Sequence, residues 1–260
     1  MQMALQDISS ANKREFTVPE PLPARTDRDG KAVRNLMLLS IPEQEFSAVR
    51  VSLEPVEMPR YRVLYEQREK IGYAYFPGEG MVSLVIMTND GRSVEVGIAG
   101  REGVVGVPLA FGVEYAPTRA IVQLPGSGLR ISSSALQEGF DDSPSLRHSI
   151  ERYVMTQQLQ VAQTAACNRL HDMDQRLARW LLMCQDSVDS EKLPLTHEFI
   201  AQMLGSGRPT VTIAAGILER AGLIENTRGY VKILNRKRLE DAACECYAVI
   251  QNLNGHVHSR

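Results

Sequence analysis

Apolar residues recur at helical spacing in the C-terminal part of the chain. After Thr196, a residue type that caps helix N-termini, apolar side chains fall on one helix face at Phe199, Ile200, Met203 and Leu204. Gly205 follows where such a helix must turn through a left-handed backbone conformation. Pro209 suits the first turn of a second helix, whose inner face would consist of Val211, Ala214, Ala215 and Leu218. This pattern predicts a helix-turn-helix.

A β-hairpin is predicted directly behind the second helix. Gly222 ends that helix, and Leu223 and Ile224 begin a strand. The turn Asn226–Gly229 then leads to a partner strand over 230–234. A hairpin in this position makes the motif a winged helix-turn-helix.

Upstream, the pattern changes to short runs of β-forming residues separated by glycine-rich turns. Seven runs are predicted as strands: Pro55–Met58, Arg62–Tyr65, Gly72–Phe76, Met81–Thr88, Ser93–Ala99, Ala120–Leu124 and Leu129–Ile131. The turns are predicted at Pro77–Gly80, Asn89–Gly91, Gly100–Gly103 and Pro125–Gly128. This spacing is typical of a sandwich, jelly roll or barrel. One or two short helices, interrupted at Pro42, precede the strands.

A long helix is predicted from Pro144 to about Asn168, capped by Asp141, Asp142 or Ser143. It carries two rows of side chains at three- and four-residue spacing. The first row is Ile150, Val154, Gln157, Val161, Thr164 and Asn168, and the second is Met155, Leu159, Ala162 and Ala166. Two rows imply two packing partners, the β domain and the same helix of a second subunit. We assign the first row to a dimer interface, in which Gln157 or Asn168 would fix the register; the alternative is a helix buried within one chain.

Composition places the chain among ordinary two-domain proteins. It has 260 residues, 43% of them hydrophobic and 23% charged. The apolar run Met81–Met87 is too short to span a bilayer, and the first residues lack the features of a signal peptide, so a cytoplasmic protein without a membrane partner is expected. The net charge of −2 hides an uneven distribution. Between Thr196 and Arg238, seven Lys and Arg residues stand against three Glu residues, as DNA phosphates would require.

The cysteines do not predict a metal site. Cys167, Cys184, Cys244 and Cys246 lack a C-x-x-C spacing, and reduced thiols are the simplest interpretation. A last helix is predicted over Glu240–Leu253, on which Cys244 and Cys246 would point to different faces. The prediction is therefore no metal and no cofactor.

The motifs together resemble a known family. The order of long helix, helix, turn, recognition helix with Gly207-Arg-Pro-Thr-Val-Thr212, and wing is similar to that of the Crp/Fnr family of bacterial transcription regulators. The resemblance implies an α+β fold with an antiparallel, jelly-roll-like β-roll, a long dimerisation helix and a C-terminal winged helix-turn-helix. The expected domains are a mobile arm over 1–32, a cyclic-nucleotide-binding-like β-roll over 33–140, the dimerisation helix over 141–169 and the DNA-binding domain over 170–260. The implied partners are double-stranded DNA, a second copy of the chain and RNA polymerase.

The segment that holds the nucleotide in that family departs from the family pattern here. The resemblance points to Gly106, Val107, Thr118 and Arg119 as the effector-binding positions. The family's glutamate, which takes the ribose hydroxyl, falls on Val107 or Pro108, and Thr118 stands at the arginine site. A lost charge-assisted bond costs about 2 to 3 kcal/mol, so an effector other than cyclic AMP is expected. The alternative is a domain that senses no effector and only supports the dimer.

Several residues are predicted to contact DNA. Because the apolar row of the second helix points inward, Arg208, Pro209, Thr212 and Ile213 should point outward at the end that enters the major groove. The forked guanidinium of Arg208 matches guanine O6 and N7. Pro209 stands where many family members have glutamate, and this difference should change the preferred operator. Thr210 and Thr212 can bond phosphate or contact thymine methyl groups. His197, Arg228 and Lys232 are placed for phosphates.

The predicted function is therefore a homodimeric, sequence-specific transcription regulator on a palindromic operator. No nucleophile with a neighbouring base and no phosphate loop is present in the sequence, so an enzyme is not expected. The alternative is a ligand-binding signalling module whose helical domain contacts protein rather than DNA.

Overall fold

The computed structural model describes residues 22–188 and 190–258. The N-terminal strand-forming runs become β1 (Glu54–Met58), β2 (Val63–Tyr65), β3 (Tyr73–Pro77), β4 (Met81–Met87), β5 (Ser93–Ala99), β6 (Arg119–Leu124) and β7 (Gly126–Ser132). Strands β1, β7 and β3 form one antiparallel sheet, and β2, β6, β4 and β5 form another. A short 3-10 helix, Val107–Phe111, connects β5 with β6. The predicted β-roll is confirmed.

One of the predicted turns is a strand. Residues 126–128, expected as a turn after Pro125, begin β7 and pair with both β1 and β3. The glycines serve close backbone approach: a Cβ at Gly126 would collide with the carbonyl oxygen of Glu79, and one at Gly128 with that of Phe76. Glycine therefore marks a crowded strand here rather than a turn.

The chain is already folded before the predicted start of the β-roll. Residues 1–21 of the mobile arm predicted for 1–32 lie outside the described residues. Residues 22–32 are described, and they include a packed arginine. Arg25 is 7% exposed and donates to the carbonyl oxygens of Leu38 (2.7 Å) and Ile41 (2.6 Å). It also pairs with Glu43 at 3.0 Å and lies over the ring of Phe46. This arginine satisfies carbonyl groups where α1 (Leu36–Ser40) ends, which the local sequence pattern does not reveal.

The helices α2 (Glu43–Arg50), α3 (Ser133–Asp142) and α4 (Pro144–Leu170) complete the N-terminal half. Ser132 and Ser143 cap α3 and α4, each accepting a hydrogen bond from a backbone N–H in the first turn. The break between α1 and α2 occurs at Pro42, as predicted. The apolar side chains of these helices pack with both sheets in one core.

The two rows of α4 differ in how far they are buried within the chain. Ile150 is fully buried in the β-roll core, Val154 packs against that core, and Gln157 donates to the Ile98 carbonyl oxygen and the Tyr153 hydroxyl. The remaining members of the first row lie along the same side: Val161 approaches Gly97 of β5, and Thr164 and Asn168 line a small cavity beside Trp180. The N-terminal part of the first row, Ile150, Val154 and Gln157, is therefore occupied within its own chain. Val161 is 42% exposed, and a dimer contact of the first row stays a prediction.

The second row of α4 is exposed. Met155 is 56% and Leu159 49% exposed, and Ala162 and Ala166 lie beside them on the same face. We call these four residues the outer row. An apolar stripe of this kind on a monomer marks an interaction surface.

The C-terminal half contains the predicted winged helix-turn-helix. Its elements are α5 (Met173–Asp186), β8 (Lys192–Leu193), α6 (His197–Met203), α7 (Arg208–Arg220), β9 (Ile224–Thr227), β10 (Tyr230–Ile233), α8 (Arg236–Ala242) and α9 (Cys246–His258). Strand β8, which is not among the predicted strands, adds a third strand to the wing. Asp172 and Gln175 form a capping box at the start of α5.

The single last helix predicted over Glu240–Leu253 is two helices. α8 ends at Ala242, and the chain is extended at Ala243 before α9 begins at Cys246. Cys244 therefore lies between helices, and the argument that Cys244 and Cys246 point to different faces of one helix does not apply.

A buried carboxyl group joins the two halves of the molecule. Glu95 of β5 is 8% exposed, and the Trp180 indole N–H of α5 donates to its Oε1 at 2.9 Å. Burial raises the pKa of Glu95 to about 7, although hydrogen bonds from Ser83 and Trp180 and the charge of Arg179 act in the opposite direction. The folded protein therefore binds the Glu95 proton more tightly than the unfolded chain does.

Glu95→Gln is expected to remove this pH dependence. The stabilisation from the neutral carboxyl is complete below the unfolded pKa of 4.5 and is lost as pH rises through about 7. A shift of this size corresponds to about 3 kcal/mol. Gln keeps an acceptor for Trp180 but does not ionise, so the melting temperature of Glu95→Gln should rise relative to wild type between pH 5 and pH 8.

Glu57→Gln, at an exposed glutamate, is the matched control. Its melting temperature should differ from that of wild type by the same amount at pH 5 and at pH 8. A Glu95→Gln difference that is also constant with pH would show that Glu95 ionises normally in the folded protein.

Candidate nucleic-acid interface

The helix-turn-helix is built as its local sequence predicts. Thr196 caps α6 by accepting from the Phe199 backbone N–H, and Gly205 adopts a φ of +60° in the turn. A Cβ at Gly205 would lie 2.9 Å from a methyl carbon of Val94 on β5, so this position needs glycine for both its conformation and its packing. The inward residues of α7 are buried: Val211, Ala214, Ala215 and Leu218.

The N-terminal end of α7 is exposed. Arg208 occupies the first position of the helix, with Pro209 next to it. The predicted DNA-contacting residues of this helix are all exposed, namely Arg208, Pro209, Thr210, Thr212 and Ile213. Ile213 is 66% exposed. The helix therefore presents one guanidinium, hydroxyl groups and an apolar side chain on one free end.

A hydrogen-bond network ties this helix to its neighbours. His197 places Nδ1 at 3.1 Å from the Thr212 hydroxyl and Nε2 at 3.2 Å from Asn226 Oδ1. Glu219 accepts from the Asn226 backbone N–H at 2.9 Å, and the hydrogen bonds from Asn226 lower the pKa of Glu219. The network fixes α6, α7 and the wing relative to one another. His197 thus has a positioning role in addition to its predicted phosphate contact.

The wing carries two of the predicted phosphate contacts. Arg228 lies exposed at the turn, next to Gly229, whose φ is +86°. Lys232, on β10, is half-buried and pairs in register with Glu225 of β9. Of these two residues, Arg228 is the more accessible to a bound duplex.

The effector positions predicted from the resemblance are occupied by contacts within the chain. Gly106 adopts a φ of +93°, and the half-buried Val107 packs on the β-roll core. Tyr65 is 8% exposed, and its hydroxyl forms hydrogen bonds with the backbone of Gly106 and the side chain of Thr118. Burial raises the pKa of Tyr65. Arg119 pairs with Glu66 at 3.2 Å. A buried tyrosine thus stands between the residues that would hold a cyclic phosphate, and the arginine beside them is neutralised.

Comparison with known proteins agrees with this geometry. Residues 175–242 match the family described as the Crp-like helix-turn-helix domain. Residues 175–242 form a Crp-like helix-turn-helix domain.

About three quarters of the chain also superposes on the fold of Crp/Fnr regulators. FixK2 from Bradyrhizobium japonicum superposes with a TM-score of 0.63 at 16% identity, covering 74% of this chain and 98% of FixK2. The c-di-GMP responsive regulator CLP of Xanthomonas campestris gives 0.62 at 17%, covering 75% and 100%. A CRP-family transcriptional regulator from Thermus thermophilus gives 0.60 at 23%, covering 72% and 96%. No curated protein matches the chain. The family match supports a DNA-binding helix-turn-helix in residues 175–242, and the superpositions show the fold.

A side-chain cluster that the sequence analysis missed lies just outside the matched residues 175–242. Cys167 and His171, at the end of α4, meet Cys244 and Cys246, which flank the break between α8 and α9. The Cys167 and Cys244 sulfur atoms are 3.5 Å apart, and their shared hydrogen bond lowers the pKa of Cys167 and raises that of Cys244. The available signal was the four-residue spacing of Cys167 and His171, which places both side chains on one face of a helix.

No helix of residues 22–188 and 190–258 has the length and apolar character needed to cross a bilayer.

Proposed function

We propose that the protein is a homodimeric, sequence-specific transcription regulator in which α7 of each subunit enters the major groove of a palindromic site. The observation that carries the proposal is the free end of α7 within a Crp-like domain, with Arg208, Thr212 and Ile213 exposed together. A guanidinium at the first position of a recognition helix matches the two acceptors of guanine. Arg208 is assigned to base reading, and Thr210 and Arg228 to phosphate contacts.

The outer row of α4 is proposed as the dimer interface. Two such rows facing each other across a two-fold axis would bury Met155 and Leu159 and allow the helices to approach closely at Ala162 and Ala166. A two-fold dimer presents its two recognition helices about 34 Å apart, one turn of DNA, which is what a palindromic site requires.

The β-roll is proposed to act without cyclic AMP. Tyr65 fills the space beside Gly106 and Thr118, and Arg119 is paired with Glu66. The protein is proposed to act on transcription, with RNA polymerase as its second macromolecular partner, and not as an enzyme.

Selection of bound sequences from a random DNA pool tests the function directly. Purified full-length protein without added small molecule should enrich a palindrome whose half-sites lie about 10 base pairs apart. A parallel selection without protein controls for amplification bias. Failure to enrich any sequence, either alone or with cell extract, would contradict the proposal and return the helical domain to a role in protein contact.

A further inference from the structure

Four side chains with metal-binding donor atoms converge at the junction of the long helix and the DNA-binding domain. One donor atom from each of Cys167, His171, Cys244 and Cys246 lies within 4.8 Å of all the others. Two of the pairs, Cys167 Sγ with Cys244 Sγ and Cys246 Sγ with His171 Nδ1, are each 3.5 Å apart. The three sulfur atoms belong to buried cysteines, and His171 is half-buried.

We propose that these residues form a tetrahedral Cys3His site for one Zn²⁺ ion. Ligands at the Zn–S and Zn–N distances found in proteins lie about 3.3 to 3.8 Å from one another in a tetrahedron. The observed pairs at 3.5 Å fit that spacing. An iron–sulfur cluster would hold its ligands further apart, because several irons and sulfides lie between them.

The donor set favours zinc over other divalent ions. Three thiolates and one imidazole are soft to intermediate ligands, which disfavours magnesium and calcium. Because four protein donors complete a tetrahedron, no position is left for water or substrate. The site is therefore structural and not catalytic.

Neighbouring groups are arranged as around known zinc ligands. Glu245 Oε1 is 3.2 Å from His171 Nε2, which leaves Nδ1 as the nitrogen that faces the sulfur atoms. Gln163 donates from Nε2 to the Cys246 sulfur at 3.0 Å. A carboxylate on the second imidazole nitrogen and an N–H donor on a thiolate are typical of the surroundings of a bound metal.

The position of the site gives the ion a mechanical role. Cys167 belongs to the last turn of α4 and His171 is the C-terminal cap of that helix, directly before α5 begins. Cys244 and Cys246 belong to the other end of the DNA-binding domain. A bound ion would therefore hold the C-terminal helices against the connection between α4 and α5. Without the ion, the DNA-binding domain would be free to rotate about that connection.

Cobalt binding to the full-length protein tests the site. Protein treated with chelator and reductant should take up one Co²⁺ per chain, with the d–d absorption of tetrahedral cobalt and a sulfur-to-cobalt charge-transfer band. Zn²⁺ should displace the cobalt and raise the melting temperature. Absence of tetrahedral cobalt absorption in reduced wild-type protein would overturn the proposal. A Cys167–Cys244 disulfide, together with failure of the reduced chain to bind zinc, would overturn it as well.

Substitutions identify the ligands. Cys244→Ser should weaken Co²⁺ binding more than 100-fold, and Glu245→Gln, outside the ligand set, should weaken it about 10- to 100-fold. Cys184→Ala is the matched control, because Cys184 is also buried but contacts Gln123, and should bind cobalt as wild type does. The exposed Glu245 is not part of the core, so its variant remains informative if Cys244→Ser does not fold. Equal cobalt affinity in Cys244→Ser, Glu245→Gln and wild type would overturn the assignment.

Discussion

Leu159→Glu is expected to convert the protein from a dimer to a monomer. Leu159 lies in the middle of the outer row and is 49% exposed in the single chain. Across a two-fold interface the substitution removes two apolar contacts and buries two carboxylates of like charge. At about 2 kcal/mol for each chain, the dimer dissociation constant should rise about 1,000-fold, as measured by sedimentation equilibrium.

Two variants of the same helix control this experiment. Gln158→Glu introduces the same charge at the adjacent exposed position, outside the apolar row, and should remain dimeric. Val161, of the first row, is 42% exposed and lies on the side of α4 that faces β5, so Val161→Glu should weaken the dimer less than Leu159→Glu does. If Val161→Glu gave monomers and Leu159→Glu did not, the interface would belong to the first row.

The rows of α4 show what helical spacing can and cannot predict. Both rows have the same three- and four-residue spacing, so the spacing predicts two contact surfaces but not which surface belongs to which partner. The inner side is centred on Tyr153, Gln160 and Cys167, all buried. Two of these side chains are polar or amphipathic, and their burial depends on partners such as Gln157, which donates to the Tyr153 hydroxyl.

The helix-turn-helix was predictable because its signals are local. Thr196, Gly205 and Pro209 each act through the backbone of their own turn, and the buried row of α7 follows helical periodicity. The β-strands were located for the same reason. Exceptions were strands β7 and β8, where backbone crowding and pairing with distant segments decide the conformation.

The cysteine cluster was beyond local inference. Cys167 and Cys244 are separated by 77 positions, and no spacing rule connects them. Their meeting depends on the break at Ala243 and on the packing of α9 against α4, neither of which has a strong sequence signal. Similarly, the role of Tyr65 beside Gly106 and Thr118 follows from the pairing of β2 with β6.

Arg208→Ala is expected to abolish most of the preference for the selected palindrome. If each Arg208 makes a forked contact with one guanine, its loss costs about 1 to 3 kcal/mol in each half-site. For the dimer this corresponds to about a 30- to 20,000-fold loss of affinity. Affinity for random DNA should change far less, and titrations of both DNAs by fluorescence anisotropy will separate the two effects.

The geometry of the guanidinium can be tested with two further variants. Arg208→Lys keeps the charge but not the fork, so it should retain binding to random DNA and still lose preference for the palindrome. Arg220→Ala, at the opposite end of α7, is the matched control and should bind both DNAs as wild type does. Arg208→Ala could instead lose affinity equally for all DNA sequences, with the slope of log affinity against log salt concentration reduced by about one for each half-site. That result would mean that Arg208 contacts phosphate and that base reading belongs to its neighbours on α7.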